Sequence, residues 1–206
     1  MGTPERLHPL GWEAVGRMGL FDVYAACTIT SVVKDVREEH LAAFVGLLAS
    51  QGVAIRGRKA LQKLFYFAQF QGWPQTVSYR LHLFGPYSDE VAAALDDLEA
   101  RGAIVIDADR AIRPAPLFRD AGSASLPEGA LHAARRVAQQ FRHDDPRTLE
   151  LLATLQFVWT REQATYRRTT DHQVIRQVQR YKGAKFNLLE IEGALLRLKH
   201  EGYITG

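Results

Sequence analysis

The chain has 206 residues, of which 47% are hydrophobic and 24% charged, a composition typical of a folded globular protein and not of a disordered or fibrous one. Its 26 basic and 23 acidic residues give a net charge of +3, which permits a nucleic-acid partner without requiring one. The single cysteine, Cys27, excludes an internal disulfide, so a cytoplasmic location is expected. The most apolar stretch, residues 20–33, is short and interrupted by Asp22, so no membrane partner is expected.

The sequence predicts three regions. Residues 1–36 contain a β-branched run at 21–33, which indicates a strand or an arm that packs on another subunit, or alternatively a leader before the folded part. Residues 37–120 and 128–206 are predicted to be two folded units, because residues 114–129 are rich in Pro, Gly and Ser and indicate a linker.

The first unit begins with two predicted helices. Apolar residues at helical spacing from Glu38 predict a helix that ends at Gly52. Residues 60–70 are apolar around most of the helix circumference and predict a nearly buried second helix. Residues 77–83 alternate between apolar and polar side chains, which predicts a half-buried strand.

Turn and cap residues divide the rest of this unit. Gly85 and Pro86 are predicted to end the strand and reverse the chain. Ser88 is predicted to cap a helix that stops at Gly102. The β-prone runs on either side of a polar turn within residues 104–113 predict a hairpin, of the kind that forms the wing of a winged-helix protein.

The second unit is predicted to be helical. Asp171 can cap the third helix of this unit, Gly183 can end it, and Asn187 with Glu190 has the capping-box spacing at the start of the fourth. The last two helices and the turn between them predict a helix-turn-helix. The four helices are predicted at about 129–142, 146–159, 171–181 and 187–200.

An internal repeat connects the two units. Residues 90–104 and 190–204 match without a gap at Glu, Val or Ile, Ala, Leu, Leu, Gly and Ile. Each copy predicts a helix, a left-handed glycine and an extended segment, which is the order at the end of winged-helix folds. The predicted fold class is therefore mainly α with small β-hairpins (α+β), arranged as tandem winged-helix-like units.

Two separated motifs carry a family resemblance. Residues 58–69, with Leu61-Gln62-Lys63, and the segment Phe84-Gly-Pro-Tyr-Ser88 followed by Glu90 resemble a pattern of the bacterial YwgA-like proteins, in which tyrosine is usual at position 84. The resemblance covers about residues 38–106, with a looser fit at 146–204, and implies a winged-helix-like protein. More distantly the chain resembles the Panacea domain of SocA-type antitoxins and proteolytic adaptors, which implies toxin neutralisation by direct binding and not by catalysis.

Signatures of catalytic and metal sites are missing from the sequence. The seven histidines lie without metal-ligand spacing, and no P-loop, dinucleotide fingerprint or nucleophile elbow occurs. We therefore expect a non-enzymatic protein, with no catalytic residues, no metal and no cofactor.

Basic residues cluster in two places. Residues 161–185 contain seven basic and two acidic residues, and a second, acid-free patch lies at residues 56–63. Such patches suit phosphates, and four exposed phosphate contacts predict a slope of about −3.6 in log K against log salt. Six residues are predicted to contact nucleic acid. The phosphate contacts are Arg176, Arg180, Lys182 and Lys185, and the residues nearest base edges are Asn187 and Arg197.

Two functions remain open at this point. The first is a DNA-binding regulatory protein of winged-helix type, with double-stranded DNA as its partner. The alternative is an antitoxin-like or adaptor protein that acts by binding a protein such as a toxin. A homodimer is compatible with either.

Overall fold

Helices make up most of the described protein. The computed structural model describes residues 38–74, 77–116, 126–166 and 168–205, and residues 38–50 form the first helix, α1. This mainly helical architecture with small antiparallel sheets agrees with the predicted α+β class. The later elements are β1 (Ile55–Arg56), α2 (Arg58–Phe70), β2 (Arg80–His82), β3 (Gly85–Tyr87), α3 (Asp89–Ala100), β4 (Ile104–Ile106), β5 (Ala111–Pro114), α4 (Glu128–Phe141), α5 (Pro146–Thr165), α6 (Asp171–Lys182), the 3-10 turn Gly183–Lys185 and α7 (Leu188–His200).

The strands form two small antiparallel sheets. In the first sheet β5 lies between β1 and β4, so Ile112 pairs with Ile106 on one side and with Ile55 on the other. This confirms the hairpin predicted within residues 104–113 and adds β1 as a third strand. The second sheet is the hairpin of β2 and β3.

The β2–β3 hairpin differs from the prediction. The chain reverses at Leu83 and Phe84, and residues 85–87 form the returning strand, with Gly85 opposite His82. Gly85 has a φ of +88°, and a Cβ there would lie 2.9 Å from the Thr154 hydroxyl oxygen. Gly85 is therefore required for the close approach of β3 to α5, and not for the reversal itself.

The helix ends follow the predicted capping residues with one exception. The Ser88 hydroxyl oxygen accepts the Val91 N–H, and Asn187 with Glu190 forms a complete capping box. Helix α6 is capped by Thr170 and not by Asp171, because the Thr170 hydroxyl oxygen accepts the Gln173 N–H in a second capping box.

Aromatic packing joins residues on both sides of the predicted linker. Helix α2 is buried at every position from 60 to 68, as its composition predicted. Phe67 of α2 stacks on Phe141 of α4 with ring centroids 4.4 Å apart, and Tyr203 meets Phe67 edge-on at 4.8 Å. Residues from 38 onwards belong to one compact unit in which α5 packs on α2, α6 and α7. The predicted arm at 1–36 and most of the linker lie outside the described residues.

The two copies of the internal repeat end in the same way. Gly102 and Gly202 have φ values of +65° and +80°, and Leu98 and Leu198 each accept the N–H of the residue after the glycine at 2.9 Å. Only the first copy continues into a strand. The extended strand predicted at Ile204 is wrong, because the Ile204 N–H bonds back to the Leu198 carbonyl and residues 201–205 contain no strand.

Candidate functional site

Helices α6 and α7 carry the residues that were predicted to bind nucleic acid. The two helices are joined by the 3-10 turn, which begins at Gly183 with a φ of +56°. Val174 and Val178 of α6, and Ile191, Leu195 and Leu198 of α7, are buried. The faces opposite these residues are the ones available to a partner.

Arg176 and Arg180 lie on the solvent side of α6. Both are exposed and they are one helical turn apart. Neither has an ion-pair partner within the described ranges. They are free to contact an anion.

Lys182 does not lie on the surface as predicted. Its side chain is only 3% exposed, and its ammonium group donates to the Leu83 carbonyl at 2.7 Å and to the Glu150 carboxylate at 2.8 Å. Lys182 thus holds the β2–β3 hairpin and α5 together. A buried ammonium that is paired in this way cannot also contact a phosphate on duplex DNA.

Lys185 shares the same carboxylate. Its ammonium group lies 2.8 and 2.7 Å from the two Glu150 oxygens. Burial raises the pKa of Glu150, but the hydrogen bonds from Lys182 and Lys185 outweigh this effect and leave that pKa below its ordinary value. Lys185 stays 37% exposed, so one side of its ammonium group still faces solvent.

The two residues predicted to contact base edges are used within the protein. Asn187 caps α7, and its side-chain oxygen accepts the Glu190 N–H at 2.9 Å. Arg197 forms a bidentate pair with Asp144 at 2.8 Å and a second pair with Glu201. Hydrogen bonding to Asp144 raises the pKa of Arg197 further above its ordinary value. Both side chains therefore form contacts within the chain, in place of the predicted contacts with base edges in a DNA groove.

Exposed leucines occupy the outer side of α7 instead. Leu188, Leu189 and Leu196 are 48%, 80% and 65% exposed. Glu192 and Gly193 lie between Leu189 and Leu196 and are also exposed. We call these five residues the α7 face.

Gly193 is not explained by the packing of this chain. A glycine within a helix costs about 1 kcal/mol relative to alanine. A Cβ at Gly193 would meet nothing within 4 Å, so the described protein does not require a glycine there. A helix that crosses α7 at this point would require one, because glycine lets two backbones approach closely.

The two motifs of the family resemblance contact each other. The Gln62 side chain accepts the Ser88 N–H at 3.0 Å and donates to the Ser88 carbonyl at 2.9 Å. Lys63 donates to the Pro86 carbonyl at 2.8 Å. The motif around residues 61–63 therefore holds the motif at 85–88 through its backbone, which gives both a structural role.

The described residues offer neither a metal cluster nor a membrane-spanning helix. No group of three His, Cys, Asp or Glu side chains within these residues could hold a metal ion. In the same part of the chain, no helix has the length and apolar character needed to cross a membrane.

Comparison with known proteins adds no assignment. No protein-family model matches the chain, and no curated protein matches it. The resemblance to YwgA-like and Panacea proteins therefore stays a prediction.

Two features of the site were missed in the sequence. Helix α7 contains more leucines than its buried positions at Ile191, Leu195 and Leu198 require, and this excess was the available signal of an exposed apolar face. Glu150 lies within the apolar run 149–153, where a charged residue indicates a buried ion pair.

Proposed function

We propose that the chain is a non-enzymatic regulatory protein that binds a protein partner through the α7 face, in the manner of an antitoxin or an adaptor. The observation that carries this proposal is the exposure of Leu188, Leu189 and Leu196 around Gly193. Exposed apolar patches of this kind mark interaction surfaces.

The chemistry of the α7 face selects the kind of partner. Leucines separated by one and two helical turns suit the apolar side of a helix, and Gly193 suits a close helix crossing. Glu192 is exposed at the centre of the face and has no ion-pair partner among the residues that the structure describes. The expected partner is therefore a helix with an apolar side and a Lys or Arg opposite Glu192.

A second copy of this chain fits the α7 face less well. In a two-fold contact centred on Gly193, the two Glu192 side chains would lie close together and repel each other. A partner of different sequence avoids this repulsion. We therefore expect the purified protein to be a monomer through this face.

We further propose that residues 38–116 are a winged-helix unit. The order α1, β1, α2, α3, β4 and β5, with β1 paired to β5, supports this proposal, and the β2–β3 hairpin is then an insertion between α2 and α3.

Helix α3 would be the DNA-reading helix of such a unit. Its exposed side carries the carboxylates of Asp89, Asp96 and Glu99, which share only two arginines, and the excess negative charge would repel a phosphate backbone. This charge favours a protein partner.

Helices α6 and α7 are proposed as a helix-turn-helix without a wing, since no strand occurs in described residues 126–166 and 168–205. DNA binding is the second candidate function for this pair, and Arg176 and Arg180 are the observation that favours it. With Lys182 buried, three phosphate contacts remain, from Arg176, Arg180 and the partly exposed Lys185, so the expected salt slope is about −2.7. Fluorescence anisotropy with a labelled duplex at low salt measures this slope for the wild type and for Arg176→Gln/Arg180→Gln.

The deciding experiment compares the exposed leucine pair of α7 with a single exposed leucine elsewhere in the chain. The chain and the product of the adjacent gene are expressed together in the native host. Two effects are measured: formation of a complex between them, and suppression of the toxicity of that gene product. Leu189→Asp/Leu196→Asp should abolish both effects, because each change would bury a carboxylate against the apolar side of the partner helix. Leu83→Asp is the matched control, since Leu83 is 69% exposed but lies in the β2–β3 turn.

Three outcomes would contradict the protein-binding proposal. In the first, the double variant and Leu83→Asp keep or lose the complex equally. In the second, no complex and no suppression are observed with the wild-type chain. In the third, analytical ultracentrifugation shows a dimer that Leu189→Asp/Leu196→Asp dissociates, which would assign the α7 face to self-association.

A further inference from the structure

A small basic pocket lies beside the β2–β3 turn. It has a volume of about 230 Å³. Helices α2 and α5 and the 3-10 turn before α7 contribute its charged side chains. We call it the lysine pocket, and its main lining residues are Lys59, Lys63, Phe84, Arg147, Glu150 and Lys185.

Positive charge exceeds negative charge around the lysine pocket. The four cations of the lining and the buried Lys182 behind them face three carboxylates: Glu150, Glu190 and, near Arg147, Asp145. Lys182 and Lys185 take the oxygens of Glu150, and Arg147 takes Glu190. Among the described residues, Lys59 and Lys63 are left without an ion pair of their own.

Lys63 forms the floor of this arrangement. Its residue is 2% exposed, and the Pro86 carbonyl, at 2.8 Å, accepts one of its three N–H groups. Burial lowers the pKa of Lys63 to about 8, Glu150 opposes this shift, and Lys182 and Lys59 add to it. An anion in the pocket would accept the remaining N–H groups and offset the repulsion among the lysines.

Lys59 stands at the rim of the lysine pocket. Its ammonium group lies 3.1 Å from the centre of the Phe84 ring, a cation–π contact that positions the charge without neutralising it. A second pocket of about 450 Å³, lined by Arg56, Arg58 and Arg110, shares Lys59 with the first. A ligand whose anionic end enters the lysine pocket can therefore extend past Lys59 into the second pocket.

We propose that the lysine pocket binds a small molecule through a phosphate or pyrophosphate group, held by Lys63, Lys185, Arg147 and Lys59. The two unpaired lysines, Lys59 and Lys63, match a phosphate or pyrophosphate, which carries two or more charges, better than a carboxylate, which carries one. The remainder of the ligand lies in the second pocket beside Arg110. This site uses none of the five residues of the α7 face, so the proposal does not rest on the protein partner proposed for that face.

Calorimetric titration of the full chain with pyrophosphate at low ionic strength tests the site. Lys59→Gln and Lys185→Gln should each weaken binding by about tenfold or more, because each removes a charged hydrogen-bond donor. Arg135→Gln removes the same charge from an exposed position on α4 and should leave the affinity unchanged. Lys185→Arg should recover most of the affinity, because it restores the cation next to Glu150.

A second titration distinguishes free pyrophosphate from a larger ligand. ADP should bind more tightly than pyrophosphate, and Arg110→Gln should weaken ADP binding while pyrophosphate binding is unchanged. Equal ADP and pyrophosphate affinities would remove the second pocket from the proposal. The site itself is overturned if millimolar pyrophosphate produces no heat of binding, or if Arg135→Gln weakens binding as much as Lys59→Gln. Because Lys59 is exposed, Lys59→Gln keeps the test valid even where Lys185→Gln unfolds the chain.

Discussion

Helices α3 and α7 share one framework and present different surfaces. Both begin at a capping residue, bury Leu98 or Leu198, and end at a left-handed glycine with the same hydrogen bonds. The repeat is offset by 100 residues, so each position of one helix has a counterpart in the other.

The outer faces of the two helices differ at matched positions. Asp89 and Asp96 of α3 correspond to Leu189 and Leu196 of α7. Arg80 pairs with Asp89 at 2.9 Å, and Arg58 binds Asp96, so these two carboxylates of α3 are matched within the chain. The leucines at the matched positions of α7 are exposed. The difference shows that the repeat specifies a backbone and a buried stripe, and does not specify the outer face.

The ion pairs around the two helices also differ in burial. The Arg58–Asp96 pair has side chains that are 45% and 62% exposed, whereas the Lys182–Glu150 pair has side chains that are 3% and 7% exposed. Exposed pairs contribute little to stability because water screens them. Loss of the Lys182–Glu150 pair, which joins α6 to α5, should therefore cost more stability than loss of the Arg58–Asp96 pair beside α3.

The largest expected effect comes from breaking the buried pair. Glu150→Gln should lower the free energy of unfolding by about 4 kcal/mol, because it leaves Lys182 buried without its carboxylate. Asp96→Asn, at the exposed pair, should cost less than about 1 kcal/mol. Urea denaturation of both variants measures the contrast, and equal losses would contradict it.

The Glu150 effect should depend on pH in a defined direction. The pKa of Glu150 is lower in the folded protein than its ordinary value of 4.5, so its stabilising contribution is present above that pH. The contribution is lost as the pH falls through the folded pKa. The stability difference between the wild type and Glu150→Gln should therefore shrink below about pH 4.5.

The shared framework predicts matched losses in the two copies. Leu98 and Leu198 are 4% and 0% exposed at equivalent positions. Leu98→Ala and Leu198→Ala should each reduce the free energy of unfolding by about 3 kcal/mol, from lost burial and the cavity left behind. Thermal and urea denaturation check this result. If one substitution is neutral, the two helices do not share the same structural role.

Local patterns predicted the helices and the hairpin because each depends on neighbours in sequence. Helical spacing, capping residues and glycines identified α1 to α7, although α5 extends to Thr165 and past its predicted end. The position of the reversal was missed because Gly85 and Pro86 were taken as turn residues, whereas the packing of β3 on α5, which is remote in sequence, places Gly85 in the returning strand. The same reason explains the missing strand at Ile204, since the sequence does not show whether a partner strand is present.

The candidate site was predicted less well than the fold. Basic residues were counted as exposed, but Lys182 and Arg197 are engaged by Glu150 and Asp144, which lie 32 and 53 residues away. Charge counting along the chain cannot show which cations are paired across the fold. Arg176 and Arg180 were placed correctly on the surface because their helix repeats its buried positions regularly.

Glycines distinguish structural from functional positions in the two copies. Gly102→Ala and Gly202→Ala should each lower the free energy of unfolding by about 1 kcal/mol, because alanine at a positive φ is strained although space is open around both sites.

Gly193→Ala introduces the residue that α3 has at the matched position, Ala93, and should raise the free energy of unfolding by about 1 kcal/mol. The same change should weaken the protein complex. A Gly193→Ala variant with unaltered binding would show that no helix crosses α7 at this position.

The smallest expected change in stability belongs to the α7 face itself. Leu189→Asp/Leu196→Asp gives α7 the residues that α3 has at the same positions. The exposed leucines lose little packing, an aspartate near the start of a helix is favoured by its dipole, and an aspartate in the middle is slightly disfavoured, so these effects nearly cancel. Urea denaturation should show a change within about 0.5 kcal/mol. A loss of several kcal/mol would mean that the leucines support the fold. An unchanged stability together with a lost complex would mean that α7 differs from α3 because it binds a partner.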